Sequence, residues 1–446
     1  MAKRQCCGLS SSSAKLMVID LYREHIPLDI FINIFSRLPA ESVCCIRCVC
    51  KTMLDTVDNC SFVTLHTRSL VNATNGVTHV PQLMFFTLSC NPPGHLAALH
   101  SLKYDGGNTL TKGKHAVSVF TSKDYDLSRY TVDFVFCNLF CLRNIRYNKC
   151  GHCFLVNPLM GEVLRLPTSN VHGTNFRFRD WYGMGIDSST GTYKIVRVSK
   201  FCKENVAGEF LVAQVFELGT SSWREIPSVP PCQLNTTRCV SAYGDMHWLF
   251  IKVSEKICQI VSFDFKKEEF YSAPHPGFQG WNHSHLVANL HLITLRGSLA
   301  TVDSSSSTGV TMNIEIWVLK DYDKKEWTRD YTINIEMIGL HPNFRSIDII
   351  CGEWEHGIFL KNMRRCPTYF FLDLNRVSMK IATFGGEDIC RIYSYTKSLI
   401  SLKDYGNILE AETGSGSLKC FGQLIEGEAE GFSLSEQHML LRRSFI

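Results

Sequence analysis

The first regular pattern of apolar and polar positions begins at Pro27 and has the spacing of an α-helix. Pro27 suits a first helical turn, where its missing N–H costs nothing, and Pro39 ends that helix and can open the next. A third amphipathic stretch follows and ends near Asn59. The pattern predicts three short helices, with apolar positions at Leu28, Phe31, Ile34, Phe35, Leu38, Val43, Ile46, Val49, Met53, Leu54 and Val57.

From about residue 80 the pattern changes, because short β-branched or aromatic runs alternate with Gly, Asn, Asp and Ser turns. Helical periodicity is scarce there, so this part is predicted to consist of many short antiparallel strands. The N-terminus is polar and serine-rich. The expected organisation is a loose arm over residues 1–24, three helices over 25–63, a linker over 64–80 and one β domain over 81–446.

A repeat of strand, polar turn and strand occurs five times in the β domain. The first residues after the turns lie at intervals of 60, 47, 57 and 52, near the roughly 50 residues of a kelch-type propeller blade. These markers are Val163, Trp223, Phe270, Trp327 and Met379. Glycines that fit tight turns precede four of them, at Gly151, Gly244, Gly297 and Gly357. The predicted fold is therefore a small all-α three-helix domain followed by a large all-β repeat domain, a kelch-like β-propeller whose blade number and ring closure stay open.

The bulk composition narrows the kinds of partner that the chain is expected to have. With 446 residues the chain is too long for one compact core, and its formal charge of +4 is small for that length. The 46 basic and 42 acidic residues are interspersed, so no basic patch indicates nucleic acid or an anionic membrane. The richest apolar run, 134–145, is broken by Asn138, Arg143 and Asn144, which disfavours a membrane helix. Neither nucleic acid nor a membrane is expected as a partner.

The chain contains 20 cysteines, whose meaning depends on the compartment. No secretory apolar segment follows Met1, since the run Leu16–Ile19 stops at Asp20. A reducing cytoplasm or nucleus is therefore expected, where a free thiol in an apolar run acts as a small hydrophobic side chain. We interpret most thiols as packing residues, including Cys44, Cys45, Cys48 and Cys50 around the second helix.

A zinc site is the sharper alternative for Cys137, Cys141, Cys150 and Cys153, with His152 beside them. The first pair lies in an apolar strand and the gap between the pairs is short. Buried structural thiols are therefore favoured over zinc, and no metal site is predicted.

No catalytic constellation occurs in the sequence. The histidines are numerous, but there is no Gly-x-Ser-x-Gly elbow, no His-Glu-x-x-His helix and no phosphate loop. The run Gly183-Met184-Gly185 lacks a third glycine and a following helix. Neither an enzyme activity nor a cofactor is predicted. Four tryptophans are interpreted as blade core rather than as a binding surface, namely Trp223, Trp248, Trp317 and Trp327.

The segment Ile26–Pro39 resembles the opening of an F-box, and its continuation through Arg47–Lys51 to Phe62 does so as well. One departure is Met53, where the family usually has tryptophan; methionine is apolar and adaptable, so contact should survive. The resemblance implies binding to the Skp-type adaptor of a cullin ligase. The residues expected to bind the adaptor are Ile26, Pro27, Leu28, Ile30, Phe31, Ile34, Leu38, Pro39, Val43, Val49, Cys50 and Met53.

Short motifs further along the chain resemble, in order, the F-box-associated domain of plant F-box proteins. They are Cys137–Leu142, Asn157-Pro158 with Leu166-Pro167, Gly183–Arg197, Gly244 with His247-Trp248, Phe263-Asp264, Ile316–Val318 and Ser398-Leu399. In that family the associated domain selects target proteins while the F-box engages the adaptor.

These patterns lead to three hypotheses about function. The first is a non-catalytic substrate-recognition subunit of a Skp–cullin–F-box E3 ubiquitin ligase, which binds the adaptor and an unknown target protein. The second is an adaptor-binding propeller scaffold that acts outside a ligase, in which case cullin does not co-purify. An enzyme that uses a propeller face is disfavoured, because the acidic residues mostly occupy hairpin turns. Target-binding loops are expected at 205–209, 278–285 and 301–311.

Overall fold

A computed structural model of the chain places a group of helices before a ring of antiparallel sheets. The structure describes residues 27–71, 81–89, 95–104, 109–121, 130–144, 153–168, 179–202, 209–231, 239–252, 257–273, 275–276, 290–307, 312–334, 350–362, 368–376, 378–383, 389–406, 408, 420–421, 431–438 and 442–443. The predicted N-terminal arm, together with Ile26, Cys150, His152 and Gly151, lies outside these ranges.

The helical domain contains four helices rather than three. They are α1 (Leu28–Phe35), α2 (Ala40–Ile46), α3 (Lys51–Val57) and α4 (Cys60–Val71). Pro27 and Pro39 directly precede α1 and α2, as their fixed φ favours. Helix α4 continues to Val71, so residues 64–71 are helical and do not form a linker. Serine and threonine are frequent in this stretch, and they weaken its apolar helical pattern in the sequence.

The core of the helical domain consists of residues from all four helices. Phe31 and Phe35 lie one turn apart on the inner face of α1, with ring centroids 5.6 Å apart. Met53 and Val57 have the same spacing on α3. The complete cluster is Phe31, Phe35, Val43, Met53, Val57 and Phe62.

The β domain is a propeller of six four-stranded blades. Blade 1 contains β1 (Gln82–Ser89), β2 (His95–Tyr104) and β3 (Thr109–Thr121). Blade 2 contains β4 (Tyr130–Phe136), β5 (Leu139–Asn144), β6 (Cys153–Asn157) and β7 (Glu162–Arg165). Blade 3 contains β8 (Arg179–Ile186), β9 (Tyr193–Cys202), β10 (Glu209–Glu217) and β11 (Arg224–Ile226). Blade 4 contains β12 (Cys239–Ala242), β13 (Asp245–Lys252), β14 (Ile257–Asp264) and β15 (Glu269–Ala273).

Blades 5 and 6 continue the same meander, and a last strand returns to blade 1. Blade 5 contains β16 (Leu290–Leu295), β17 (Ser298–Ser307), β18 (Met312–Asp321) and β19 (Glu326–Asn334). Blade 6 contains β20 (Ile350–Trp354), β21 (Gly357–Asn362), β22 (Thr368–Asp373) and β23 (Ser378–Thr383). The returning strand is β24 (Ile389–Tyr395), followed by a short 3-10 turn at Leu402–Tyr405.

Strand β24 closes the ring. It pairs antiparallel with β1, with Gln82 opposite Tyr395 and Phe85 opposite Ile392. Blade 1 is therefore built from both ends of the β domain. The first strands of successive blades lie against one another around the centre, from β4 through β8, β12, β16, β20 and β24 back to β4. The prediction of a propeller is confirmed, and the ring has six blades; the kelch-like subtype stays a prediction.

The five sequence markers belong to the outer edges of blades 2 to 6. Val163, Phe270, Trp327 and Met379 lie in the fourth strands of their blades, and Trp223 directly precedes β11. Two of the predicted turn glycines, Gly244 and Gly297, have φ of 86° and 78°. The residues before them also have positive φ, so both hairpins have the tight two-residue turns that favour glycine.

Three further strands lie on the outer rim of the ring. They are β25 (Cys420–Phe421), β26 (Gly431–His438) and β27 (Arg442–Arg443). Strand β25 pairs with β3, and β27 pairs with β19. Strand β26 pairs with both β23 and β3, so it joins the outer strands of blades 6 and 1 at the position where the ring closes.

The predicted core role of the tryptophans holds fully for Trp248, which is buried between blades 3 and 4. A Cβ on Gly183 of β8 would lie 2.8 Å from the Trp248 ring, so glycine permits the two blades to approach this closely. Trp223 and Trp327 are half-buried and pack against neighbouring clusters, and Trp317 is half-buried as well.

The thiols of the alternative zinc motif are placed as packing residues where the structure describes them. Cys141 and Cys153 are buried with their sulfurs 3.1 Å apart, and burial raises the pKa of Cys141 well above its usual value. Cys137 lies in the turn between β4 and β5, where burial raises the pKa of its thiol to about 12. Within the described ranges no three His, Cys, Asp or Glu side chains are grouped to hold a metal ion.

Candidate functional site

The outer face of α1 is apolar and exposed. Leu28, Ile30 and Ile34 keep 36%, 50% and 50% of their surface accessible, while Phe31 and Phe35 face the domain core. An apolar side chain of this size stabilises a structure by about 1.5–3 kcal/mol when it is fully buried. The helical domain leaves this stabilisation unused, as expected of a surface that another protein covers.

Helices α3 and α4 add to the exposed apolar surface. Leu54 follows the buried Met53 on α3 and is 36% exposed, and Leu65 on α4 is exposed to the same extent. Eight large apolar side chains are exposed in the described part of the chain, and five of them belong to the helical domain. These five are Leu28, Ile30, Ile34, Leu54 and Leu65.

The structure divides the predicted adaptor-binding residues into three groups. Those on the surface are Pro27, Leu28, Ile30, Ile34 and Pro39, and those half-buried are Leu38, Val49 and Cys50. Phe31, Val43 and Met53 are buried in the core of the helical domain. They can therefore affect adaptor binding only indirectly, by packing beneath the exposed residues. Helical spacing alone selects apolar positions without separating the two faces of a helix that is apolar on both. For the same reason the sequence did not single out Leu54 as a surface residue, and Leu65 was missed because it falls in the predicted linker over 64–80.

The interpretation of the cysteines around α2 as packing residues is wrong for three of them. Cys44, Cys45 and Cys48 are exposed, and Cys50 is half-buried. Helix α2 has only seven residues and turns Ala40 and Val43 inward. Because successive helical residues are about 100° apart, the residues that follow Val43 fall outside that narrow inner face.

Helix α4 is connected to the first helices through a buried histidine. His66 Nε2 donates a hydrogen bond to the Leu38 carbonyl at 2.9 Å, so the proton of the neutral ring is on Nε2. Burial lowers the pKa of His66, against the effect of this hydrogen bond. On the surface, Arg47 and Asp58 form an ion pair at 2.6 Å.

Helix α4 also packs on the propeller. Val63 and Val71 contact an apolar cluster shared by blades 2 and 3, and the Tyr193 hydroxyl donates to Thr67 Oγ1 at 2.9 Å. We call this side of the ring the proximal face. In blades 2 to 6 it carries the turns that join the first to the second strand and the third to the fourth strand, among them 137–138, 187–192 and 243–244.

The opposite side, the distal face, is where second strands end and third strands begin. Glu209 is the first residue of β10 at this face. Residues 301–307 belong to strand β17, so this part of the expected loop at 301–311 is strand. The remaining parts of the expected loops, 205–208, 278–285 and 308–311, lie outside the described residues.

His247, from the motif of Gly244 with His247-Trp248, has a structural role in blade 4. His247 is buried, its Nε2 donates to the Ala242 carbonyl at 2.9 Å, and its Nδ1 lies 2.7 Å from Ser262 Oγ. Burial lowers the pKa of His247 to about 4. The ring is neutral and both of its nitrogens are used in hydrogen bonds within blade 4.

The fold combines a small helical domain that exposes apolar side chains with a six-bladed propeller. The F-box domain family matches residues 24–65, and the F-box associated beta propeller domain family matches residues 101–402. The second match covers more than half of the chain. The chain therefore belongs to the F-box proteins with an F-box associated beta propeller domain, as the sequence motifs predicted.

Curated relatives come from Arabidopsis thaliana. The chain is 23% identical to F-box/LRR-repeat protein At2g43260, over 83% of this chain and 81% of the relative. It is 28% identical to F-box protein At5g65850, over 68% and 70% of the two chains. It is 27% identical to F-box protein At3g07870, over 70% and 73%. No helix in the described ranges has both the length and the apolar character needed to cross a membrane.

Proposed function

We propose that the chain is the substrate-recognition subunit of a Skp–cullin–F-box E3 ubiquitin ligase. The F-box binds the Skp-type adaptor, and the propeller binds a target protein. The observation that carries the proposal is the concentration of exposed large apolar side chains on the F-box, with Leu28, Ile30 and Ile34 on one helix. Ubiquitin transfer is carried out by other subunits, so this chain contributes the proximity of target and transfer machinery.

The arrangement of α1 supports an adaptor with an apolar groove. An amphipathic helix commonly binds such a groove through residues at helical spacing. Ile30 and Ile34 have this spacing and are half exposed, and the charged side chains Asp29 and Arg37 border them in the sequence. The apolar residues supply affinity, and the charged border favours one orientation of the partner.

The distal face is the part of the propeller that we propose for target binding. The F-box packs on the proximal face, so the distal face is on the opposite side from the helical domain. Long connections between blade strands start and end there, and binding residues commonly occupy such connections on a rigid scaffold.

The proposal is tested with the full chain carrying Leu28→Asp and Ile34→Asp together. Both side chains are exposed, so the fold is retained, but a carboxylate placed in an apolar interface costs several kcal/mol. We expect capture of a purified Skp-type adaptor to be lost, as measured by co-purification. The matched control is Val229→Asp on the propeller, which is 42% exposed and should capture adaptor normally.

Adaptor capture by the double variant at the strength of the unchanged chain would show that the F-box surface is not the binding site. Cullin is followed in the same experiment. Its presence with the adaptor supports a ligase subunit, and its absence favours the scaffold that acts outside a ligase.

A further inference from the structure

A buried polar contact joins the F-box to the propeller. Thr67 of α4 is fully buried; it donates to the Val63 carbonyl and accepts a hydrogen bond from the Tyr193 hydroxyl, each at 2.9 Å. The Tyr193 ring is held edge-on by Phe136 and Tyr405, at centroid distances of 6.3 Å and 5.8 Å. A buried hydrogen bond between two side chains is directional, so α4 has one preferred rotation on this face.

The turn between β8 and β9 fits against α4 because it contains a glycine. Gly191 has φ of +82°, and a Cβ there would lie 2.7 Å from Thr64 Cγ2 and 3.1 Å from an Arg68 nitrogen. Arg68 donates to the Asp187 carbonyl in the same turn, at 3.5 Å. A hydrogen bond within the turn also stabilises it, since Asp187 Oδ1 accepts from the Ser189 backbone N–H at 2.8 Å. The helix therefore rests on a preformed surface.

A second contact lies in the segment that follows β24. Leu399 packs against the F-box core, and Lys397 Nζ lies 2.5 Å from Glu41 Oε1. Blade 2 holds this segment, because Asn157 donates to the Ile400 carbonyl at 2.8 Å and Glu162 accepts from the Leu402 backbone at 2.7 Å. The α4 contact extends over about two turns from Val63 to Val71, and the contact at Leu399 opposes rotation of the F-box about it.

The same residues explain why motifs far apart in the sequence resemble one family. Ser398 donates to Asn138 Oδ1, and Asn138 Nδ2 donates to Asn157 Oδ1 at 2.9 Å. The motif Gly183–Arg197 includes the turn that receives α4. Four of the motifs thus assemble at the junction between the two domains.

We propose that Thr67, Gly191, Tyr193 and Leu399 are positioning residues that fix the F-box in one orientation on the propeller. The adaptor surface and the distal face then keep a constant geometry within the ligase. This inference rests on the proposed function, because a fixed geometry matters only if the target must reach a transfer site held by the adaptor complex.

The test uses the full chain with Gly191→Ala. The control is Gly219→Ala, because Gly219 also belongs to blade 3 and has φ of +93°, but a Cβ there meets only Tyr405 at 3.9 Å. Both variants strain the backbone, and only Gly191→Ala pushes against α4. Amide hydrogen exchange is measured over residues 60–71, and small-angle scattering is measured on the complex with purified Skp-type adaptor.

We expect Gly191→Ala to exchange about tenfold faster over α4 and to enlarge the complex in solution, with Gly219→Ala changing neither. A Gly191→Ala variant that matches the control in either measurement would overturn the proposal. The pair Tyr193→Phe and Thr67→Val provides an independent check, since both single variants and the double variant should accelerate α4 exchange to a similar extent. Additive effects of the two substitutions would contradict a direct coupling across the junction.

The outcome is separable from that of the proposed function. Adaptor capture by Gly191→Ala should equal that of the unchanged chain, because Gly191 lies outside the apolar surface of the F-box. Failure of the unchanged chain to capture adaptor would refute the proposed function, and with it this inference. Normal capture with unaltered α4 exchange in Gly191→Ala would refute the positioning role alone.

Discussion

The F-box and the propeller differ in how many of their large apolar side chains they leave exposed. The F-box encloses a core of six side chains and leaves five large apolar residues exposed in its short length. The much longer propeller exposes three of comparable size in its described part, namely Met160, Phe210 and Val229. Each blade covers the face of its neighbour, whereas four short helices have too little volume to enclose their own apolar surface. Within the described residues, exposed apolar surface is thus concentrated on the F-box, which is what the proposed binding of an adaptor requires.

The two regions also differ in how deeply they bury ion pairs, with the deeper burial again in the propeller. In the propeller, Arg197 and Asp180 form an ion pair at 3.0 Å with side-chain exposures of 3% and 6%. In the F-box, the pair of Arg47 and Asp58 has exposures of 30% and 45%. A buried pair is costly to disrupt because the remaining charge stays without a partner, while an exposed pair contributes little. Among the described residues, the propeller thus buries an ion pair, whereas this ion pair of the F-box lies at the surface.

The largest expected effect is that of Trp248→Ala in the propeller. Trp248 is fully buried between blades 3 and 4, so its removal leaves a cavity and should lower the free energy of unfolding by about 3–5 kcal/mol. Chemical denaturation of the full chain, followed by tryptophan-independent circular dichroism, measures this change. Trp317→Ala, at a half-buried site, should cost clearly less. Equal losses at both sites would contradict the difference in burial.

In the F-box the corresponding change is Met53→Ala. Met53 is fully buried, and its truncation should destabilise the F-box by about 2–5 kcal/mol. Leu54→Ala at the adjacent exposed position should alter the free energy of unfolding by about 0.5 kcal/mol or less. We expect Leu54→Ala to weaken adaptor binding, as measured by calorimetry. Equal destabilisation by the two variants would contradict the assignment of Met53 to the core and Leu54 to the surface.

The buried histidine of blade 4 should make the propeller less stable in mild acid. Burial lowers the pKa of His247 to about 4, below the usual value of about 6.5. Below pH 6.5 the unfolded chain binds a proton that the folded chain does not, so stability is full above pH 6.5 and is lost as the pH falls towards 4. The expected loss at pH 5 is about 2 kcal/mol.

His247→Gln isolates this contribution, because glutamine can donate to the Ala242 carbonyl and accept from Ser262 without titrating. Its stability, measured by denaturant unfolding, should fall less than that of the unchanged chain between pH 7 and pH 5. The variant and the unchanged chain must be compared because a second group titrates in this range. Burial raises the pKa of Asp245 to about 6, so protonation of Asp245 increases the stability of the folded state as the pH falls. Identical pH profiles would remove His247 as the cause.

Among the main substitutions, Arg47→Ala on the F-box surface has the smallest expected effect. The ion pair with Asp58 is exposed, so its loss should change the free energy of unfolding by about 1 kcal/mol or less, and less still at high salt. The matched change in the propeller is Arg197→Ala, which leaves the buried Asp180 without its cation and should cost about 3 kcal/mol or more. Thermal unfolding at two salt concentrations measures both. A salt-sensitive loss of similar size in the two variants would break the contrast between the regions.

The amino-acid sequence by itself determined the order and type of the two domains. The helical period after Pro27 and the repeated strand-turn-strand units are local patterns, and local spacing is set by backbone geometry within a few residues. The markers from Val163 to Met379 identified five outer strands for the same reason. Gly244 and Gly297 were recognised as turn residues because glycine, which has no Cβ, adopts the positive φ of such turns without a steric penalty.

Only the tertiary structure decided the features that join distant parts of the chain. The sequence repeat did not reveal blade 1, because its strands β24 and β1 are more than 290 residues apart in the chain. Their pairing depends on their positions in space. The division of α1 into a core face with Phe31 and a surface with Ile30 depended on which side the other helices cover. The extension of α4 to Val71 depended on its contact with Tyr193, since a helix with this composition is stabilised by packing more than by its own propensity.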